Sequence, residues 1–318
     1  MIANGTKGLP HSTGRVTLRI AVDTTTPAAV LLTGLAPALV GLLLAVEAEG
    51  AVPVGLAVLL LLIPSLMNAA AASLNDYFDY VRGNDTAENV VSEQDGPLAY
   101  HQVENPIVVL WFAVGLLVTA AAMGGYVIWH VGPLPAWIGM VGGLVAVTYS
   151  WGVLPTSYMP IGEPLAGFVL GGLVPLGVYA GLTGRLEPLV LFKSVPMMLI
   201  VTQFMLVNNT CDMERDYSAG RRTLPILIGR AAAQRLSDIL NWLWIGQMVF
   251  VLAIWYRPGI FVILIVLPIC LKGIFYTFRY DRTRQNKVPA TAAVATIALG
   301  VAVGYPLALL TSILFSGG

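Results

Sequence analysis

The chain has 318 residues, 57% of them hydrophobic and only 11% charged, with no net formal charge. Soluble domains carry about 25% charged residues, so this composition excludes a water-soluble globule and points to an all-α polytopic membrane protein. The two cysteines, Cys211 and Cys270, lie far apart without metal-like spacing, which excludes a disulfide framework and a thiolate metal site. The one macroscopic partner that follows is the lipid bilayer; neither nucleic acid nor an obligate protein partner is inferred.

Residues 1–20, MIANGTKGLPHSTGRVTLRI, are polar, lack the apolar core of a signal peptide and read as a cytoplasmic tail. From 21 to 318 the chain reads as a single domain. Nine apolar runs follow: 27–46, 51–73, 107–129, 133–154, 165–183, 188–208, 239–256, 259–279 and 290–315. Each is long enough to cross a hydrocarbon core of about 30 Å as a helix. The 133–154 and 165–183 runs are interrupted by Gly and Pro, which membrane helices tolerate when neighbours satisfy the freed backbone groups.

With the N-terminus inside, the inner segments hold thirteen Lys and Arg, whereas the outer loops hold only Arg185 and Arg257. That asymmetry orients the bundle in the cell (inner) membrane with an outer C-terminus. Lys193 and Lys272 fall within spans, where snorkelling is the default reading. Two inner connections, 74–106 and 209–238, run to about thirty residues each, a length that goes with function in a compact domain. Both lie over one cytoplasmic mouth of the bundle.

The first of these connections opens with LNDYFDYVRGND, residues 74–85, and the second follows VNNTCDMERDYSAGRRTLPILIGR, residues 207–230. An offset of 133 places Leu74-Asn75-Asp76 on Val207-Asn208-Asn209, Asp79 on Asp212, and Arg82 on Arg215. The acidic motifs at 75–85 and 208–216 thus mark two repeat-related halves, an arrangement that puts a shared site at the repeat interface. Asp76 and Asp79 are spaced i,i+3, and Asp212 and Asp216 i,i+4, so each pair shares one helix face. Gly83 ends the first helix and lets Asp85 curl back from the loop.

Segment 74–106 carries seven acids and one base, and carboxylates fixed together at a membrane surface call for a cation. With no His in either motif, and Cys211 a lone thiol beside the second, the hard oxygens of Asp and Asn point to Mg²⁺. Arg82, Arg215, Arg221 and Arg222 stand close enough in sequence to grip a diphosphate through guanidinium forks. The apolar bundle below then accepts a long hydrocarbon tail.

N-D-x-x-D at Asn75–Asp79, and D-x-x-x-D at Asp212–Asp216 followed by AGRRTLPILIGR, resemble the UbiA superfamily of intramembrane aromatic prenyltransferases along nearly the whole chain. The resemblance implies nine helices around a central cavity under a cytoplasmic cap, and Mg²⁺-dependent transfer of a polyprenyl chain from its diphosphate to an aromatic acceptor. Gly83, Asp85 and the stretch GVLPTSYMPIGE resemble the branch that prenylates 1,4-dihydroxy-2-naphthoate with loss of CO₂. The asparagine which that branch often carries three residues before N-D is Ala72 here, with Asn68 one turn earlier. Other acceptors (4-hydroxybenzoate, homogentisate, haem, a glycerol phosphate) stay open as alternatives, as does, in another class, a secondary transporter.

Carried onto this sequence, the resemblance makes Asp76, Asp79, Asp212, Asp216 and Tyr149 the catalytic set, with Asp85 joining the four aspartates on the metal. Substrate binding falls to Asn68, Asn75, Arg82, Tyr158, Asn208, Asn209, Arg215, Arg221 and Arg222. Tyr77, Tyr80, Tyr149 and Tyr158 are candidates for shielding an allylic cation with their π faces, against ordinary interfacial packing. Glu163 reads either as a residue that positions the acceptor or as an exposed loop acid, and His101 either as a base or as a loop imidazole. Gly142, Gly143 and Gly152 offer room for a bicyclic acceptor.

Overall fold

The computed structural model describes residues 17–316, so the proposed tail falls outside the described residues up to position 16. All regular structure among the described residues is helical. Seven helices among the described residues are long and apolar enough to cross a membrane: α1 (Leu18–Glu49), α2 (Val54–Val81), α3 (Ile107–Val131), α5 (Gly162–Thr183), α7 (Arg230–Trp255), α8 (Arg257–Arg279) and α9 (Arg284–Phe315). Two shorter apolar helices, α4 (Leu134–Thr148) and α6 (Val195–Cys211), complete the bundle. The protein is an integral membrane protein.

Each helix pairs with a neighbour in space: α1 with α5, α2 with α3, α4 with α5, α5 with α6, α6 with both α7 and α9, and α8 with α9. The main buried cluster runs through α1, α5, α6, α7, α8 and α9 around Trp244, Tyr305, Ile297 and Met197. Lipid tails are as apolar as these side chains, so association rests on close packing of small residues rather than on hydrophobic transfer. Gly300 and Gly304, one turn apart on α9, show this. A Cβ at Gly300 would meet Cys270 Sγ at 2.4 Å, and one at Gly304 would meet the Val266 side chain at 2.8 Å.

Helix ends depart from the apolar runs where polar residues continue or stop the helix. α1 begins at Leu18, inside the expected tail, and breaks at Thr24–Thr26, with Thr26 at φ 47°. Thr24 Oγ1 ties the break to Ser73 Oγ on α2 at 3.0 Å. α4 stops at Thr148 rather than 154, before the turn that Gly152 makes at φ 111°. The run 188–208 splits at Ser194 into Pro188–Lys193 and α6. Nor are the long inner connections structureless: α2 persists to Val81, and Pro97–Tyr100, Met213–Ser218 and Leu224–Ile228 are helical. In α2 the hydrogen-bond ladder outlasts the apolar run, because polar residues can continue a helix, whereas in α4 the ladder stops before the apolar run does.

Two single π-turns, Leu31–Leu35 in α1 and Val169–Leu173 in α5, pack against one another beside the central cavity. Such π-bulges recur at functional sites. Lys193 does not snorkel: it is buried, with Nζ 2.6 Å from Tyr256 Oη and 3.2 Å from Glu47 Oε2. Lys272 stands exposed on α8.

Candidate active site

The C-terminus of α2 builds the first acidic cluster. Asn75, Asp76 and Asp79 project from its last turns, and Gly83, at φ 73°, ends the helix in a left-handed conformation that glycine adopts without cost. The chain then folds back, so that the amides of Asn84 and Asp85 donate to the Asp79 carbonyl at 2.8 and 3.1 Å. Asp85 returns over the helix end as its sequence position predicts. Asp79 is fixed by Asn75 Nδ2 and Asn84 Nδ2, both at 3.1 Å, and Ser150 Oγ donates to Asn75 Oδ1 at 3.1 Å.

The second cluster differs in backbone. α6 ends at Cys211, and Asp212 leads into the separate helix Met213–Ser218. Asp212 and Asp216 stay one turn apart, with the Asp216 amide donating to the Asp212 carbonyl at 2.9 Å. Arg230 satisfies the Thr210 carbonyl freed at the α6 terminus at 2.8 Å.

Two arginines cross-link the clusters. Arg215 reaches Asp85 at 2.7 Å and Asp212 at 2.8 Å, and Arg221 binds Asp79 and reaches Asp216 at 3.4 Å. Asp79 and Asp212, aligned by the offset of 133, are both buried, whereas their aligned arginines, Arg82 and Arg215, go separate ways. Arg82 turns away, donating to the Ser150 carbonyl at 2.9 Å and lying over the Phe78 and Tyr158 rings. Arg222 is exposed and stacks on Tyr217.

Sequence reasoning missed three members of this network. Asp95, Arg284 and Lys287 meet Asp212 from the loop after α2 and from the start of α9. Lys287 Nζ lies 2.6 Å from Asp212 Oδ2 and also binds Asp95, while Arg284 binds Asp212 and lies 2.7 Å from Asp95. No spacing announces them, since 117 and 72 positions separate Asp95 and Arg284 from Asp212. Burial alone would raise the Asp95 carboxyl, yet Lys287 beside it holds it at about 2. Burial prevails at Asp85 and Asp216, pushing both up to about 6 against the pull of Arg215 and Arg221.

Below the acids lies a cavity of about 420 Å³, within the usual range of small-molecule sites. Asn68, Asn75, Asp76, Asp79, Asp85, Tyr149, Asn208, Asn209, Asp212, Arg215 and Arg221 all line it, together with Asp95 and Lys287. Its deeper wall is apolar, from Met67, Val145, Leu170, Val174, Val201 and Phe204. Gly142 opens onto it, whereas Gly143 and Gly152 do not. Asp216 and Tyr158 stand behind the lining; Tyr158 Oη accepts from Asn84 Nδ2 at 2.6 Å, and the Arg221 guanidinium sits over its ring.

Several expected residues lie elsewhere. Tyr77 and Tyr80 pack with Ile20, Leu98, Val103 and Val109, and Tyr80 Oη donates to the Val103 carbonyl at 2.7 Å. His101 pairs with Glu93 at 2.9 Å outside the cavity. Glu163 is not a loop acid at all: it is fully buried in the first turn of α5.

The donor set suits Mg²⁺. Asp76, Asp79, Asp85, Asp95, Asp212 and Asp216 face four cations, Arg215, Arg221, Arg284 and Lys287, so carboxylates are in excess. Asp216 Oδ2 is buried without a partner, and Asp76 accepts no hydrogen bond from the described residues. No three His, Cys, Asp or Glu side chains among those residues converge to hold an ion unaided. Mg²⁺ needs no such cage, since it takes one or two carboxylates and fills its octahedron with water and phosphate oxygens.

The profile of the UbiA prenyltransferase family matches residues 34–300. A 1,4-dihydroxy-2-naphthoate octaprenyltransferase of Bacillus subtilis is 30% identical over 224 residues, 70% of this chain and 68% of that protein. The UbiA prenyltransferase domain-containing protein 1 of Gallus gallus is 29% identical over 275 residues, 84% of this chain and 78% of its own. Among solved structures, a UbiA homologue from Archaeoglobus fulgidus bound to GPP and Mg²⁺ shares the fold with a TM-score of 0.62 at 18% identity, covering 91% of this chain and 99% of that one.

Proposed function

Because the chain belongs to the UbiA prenyltransferase family and is thus a transferase of prenyl groups, we propose that it moves a polyprenyl chain from an allylic polyprenyl diphosphate onto 1,4-dihydroxy-2-naphthoate, with Mg²⁺ as cofactor. One observation carries this reading: two acidic clusters, joined by Arg215 and Arg221, close the mouth of a cavity whose deeper wall is apolar. The acceptor is supported by the name of the Bacillus subtilis relative and by Gly83 and Asp85 at the end of α2.

Asp76, Asp79, Asp85, Asp212 and Asp216 would hold Mg²⁺, which when bound offsets the charge of the departing diphosphate. Arg215 and Arg221, already at the mouth, add fixed positive charge there. Asn68, Asn75, Asn208 and Asn209 supply neutral polar contacts along the same wall. Heterolysis of the allylic C–O bond leaves the electron pair on diphosphate. The ring carbon of the acceptor then attacks the allylic cation, and with the naphthoate the carboxylate leaves as CO₂. Tyr149, which lines the cavity, would offer its π face to the cation, and the apolar wall excludes water that would quench it. Arg82, Arg222 and Tyr158 act at one remove, bracing the cavity rather than lining it.

In this reading α1–α9 are nine spans forming one domain of two repeat-related halves, with the mouth and N-terminus in the cytoplasm. The test crosses allylic diphosphates with candidate acceptors in membranes carrying the protein and identifies products by mass. A demethylmenaquinone-type product formed only with Mg²⁺ is the expected result; no prenylated product with any acceptor would end the proposal.

A further inference from the structure

Glu163 is 0% exposed, yet it touches neither lipid nor cavity. Its Oε1 accepts two hydrogen bonds, from Asn209 Nδ2 at 2.8 Å and from the Leu224 amide at 3.3 Å. Its Oε2 is buried without a partner among the described residues. A carboxyl group is costly to bury and uncommon in such a place unless something depends on it.

The two bonds to one oxygen settle the orientation of Asn209. The Leu224 amide can only donate, so a carboxylate Oε1 accepts from it, and toward that same oxygen Asn209 offers its amide nitrogen. Asn209 Oδ1 is thereby turned the other way. Asn209 lines the cavity, and its Oδ1 accepts from no group among the described residues and is not buried from the cavity space. By the offset of 133, Asn209 falls on Asp76, whose carboxylate lines the same cavity from the other half. The second half thus places a neutral oxygen where the first places a charged one.

We infer that Glu163 is a positioning residue: it holds Asn209 so that Oδ1 faces the cavity as an oxygen ligand for the divalent cation. The inference rests on the proposed prenyl transfer and deepens it. A carboxylate behind a ligand commonly fixes the direction of that ligand, and losing it weakens metal binding about 10–100-fold. Through the Leu224 amide, the same carboxylate anchors the segment that carries Arg221, which a purely structural role would also explain. The experiment must separate the two.

Purified protein is titrated with Mn²⁺ in the presence of geranyl thiodiphosphate, and free Mn²⁺ is read by electron paramagnetic resonance. Glu163→Leu weakens Mn²⁺ binding about tenfold or more, whereas Glu163→Gln, which keeps an acceptor at the Oε1 position, stays within about threefold of the parent. Asn209→Ala shows the loss of Glu163→Leu, and the double variant loses no more than either, because the two residues act as one unit. Parental affinity in Glu163→Leu, or losses that multiply in the double variant, would overturn the inference. Glu163→Met, closer in shape, stands in where the Leu protein does not fold; failure of both to fold while Asn209→Ala folds makes the role structural and equally overturns it. If the parent itself binds Mn²⁺ no better than Asp79→Ala/Asp212→Ala, the proposed metal-dependent transfer fails instead.

Discussion

Arg221 binds Asp79 across 142 positions of sequence, joining the connection after α6 to the end of α2 at the mouth of the cavity. The same guanidinium reaches Asp216, so one cation holds a carboxylate from each acidic cluster. All three side chains are almost wholly buried, and removing one partner of such a pair leaves an uncompensated charge that costs about 3–5 kcal/mol. Arg221→Ala is therefore expected to lower the Tm of the purified protein and abolish most turnover. Arg221→Lys recovers little, because an ammonium cannot fork between two carboxylates. Parental Tm and turnover in Arg221→Ala would refute the cross-link.

The acids themselves are the second test. Asp76 and Asp79 from α2 and Asp212 from the end of α6 converge on one mouth, and Asp216 stands one turn behind Asp212, its Oδ2 without a partner among the described residues. Each Asp→Ala change is expected to reduce turnover by about two orders of magnitude or more, the scale set by losing a group that stabilises developing charge, while insertion into the membrane persists. Chelation by EDTA should reproduce the loss and added Mg²⁺ should reverse it. Full activity of Asp79→Ala/Asp212→Ala in EDTA-treated membranes contradicts metal–diphosphate catalysis.

How much of this was legible in the sequence depends on the range of the interaction. The acids and Gly83 belong to short motifs, and local backbone geometry carries Asp85 back over the helix end just as the spacing implies. Arg215 and Arg221 were visible because they lie within a few residues of the second motif. Asp95 and Lys287 were not, since only tertiary packing brings the start of α9 to Asp212. Arg82 illustrates the opposite failure. Its alignment with Arg215 suggested an equal role, but the turn at Ser150 offers it a carbonyl, and it leaves the mouth. Glu163 looked like a loop residue because α5 starts one residue before it, at Gly162. Hydropathy locates where helices cross the bilayer; it does not locate where their backbone ladders stop, as α2, α4 and α7 each show.

Sidedness is the third test, and it concerns the Lys and Arg distribution rather than any contact. Ser92 lines the cavity mouth in the loop after α2, and Ser218 ends the short helix after Asp212. Introduced as single cysteines and probed with an impermeant maleimide, both are expected to react only after the membrane is opened. Labelling in intact cells would place the mouth outside and reverse the orientation.

The acceptor is the finest of the expectations and has its own test. A naphthoate is wider than a single ring, and it must reach the allylic carbon between the acids and the apolar wall. Gly142 offers room in that wall: it lines the cavity, and a Cβ added there would find only Met67 Cε, at 3.7 Å. The site therefore tolerates a small residue but narrows with a large one. Gly142→Leu is expected to raise the KM for 1,4-dihydroxy-2-naphthoate about tenfold or more, the effect of about 1.4 kcal/mol of lost binding, while the KM for the polyprenyl diphosphate changes little. The parent is expected to prenylate the naphthoate with release of CO₂ and to leave 4-hydroxybenzoate almost untouched. Strong turnover of the single-ring acid with the naphthoate inert would remove the naphthoate from the proposal and leave prenyl transfer in place. An unchanged naphthoate KM in Gly142→Leu would instead move the acceptor to another wall of the cavity.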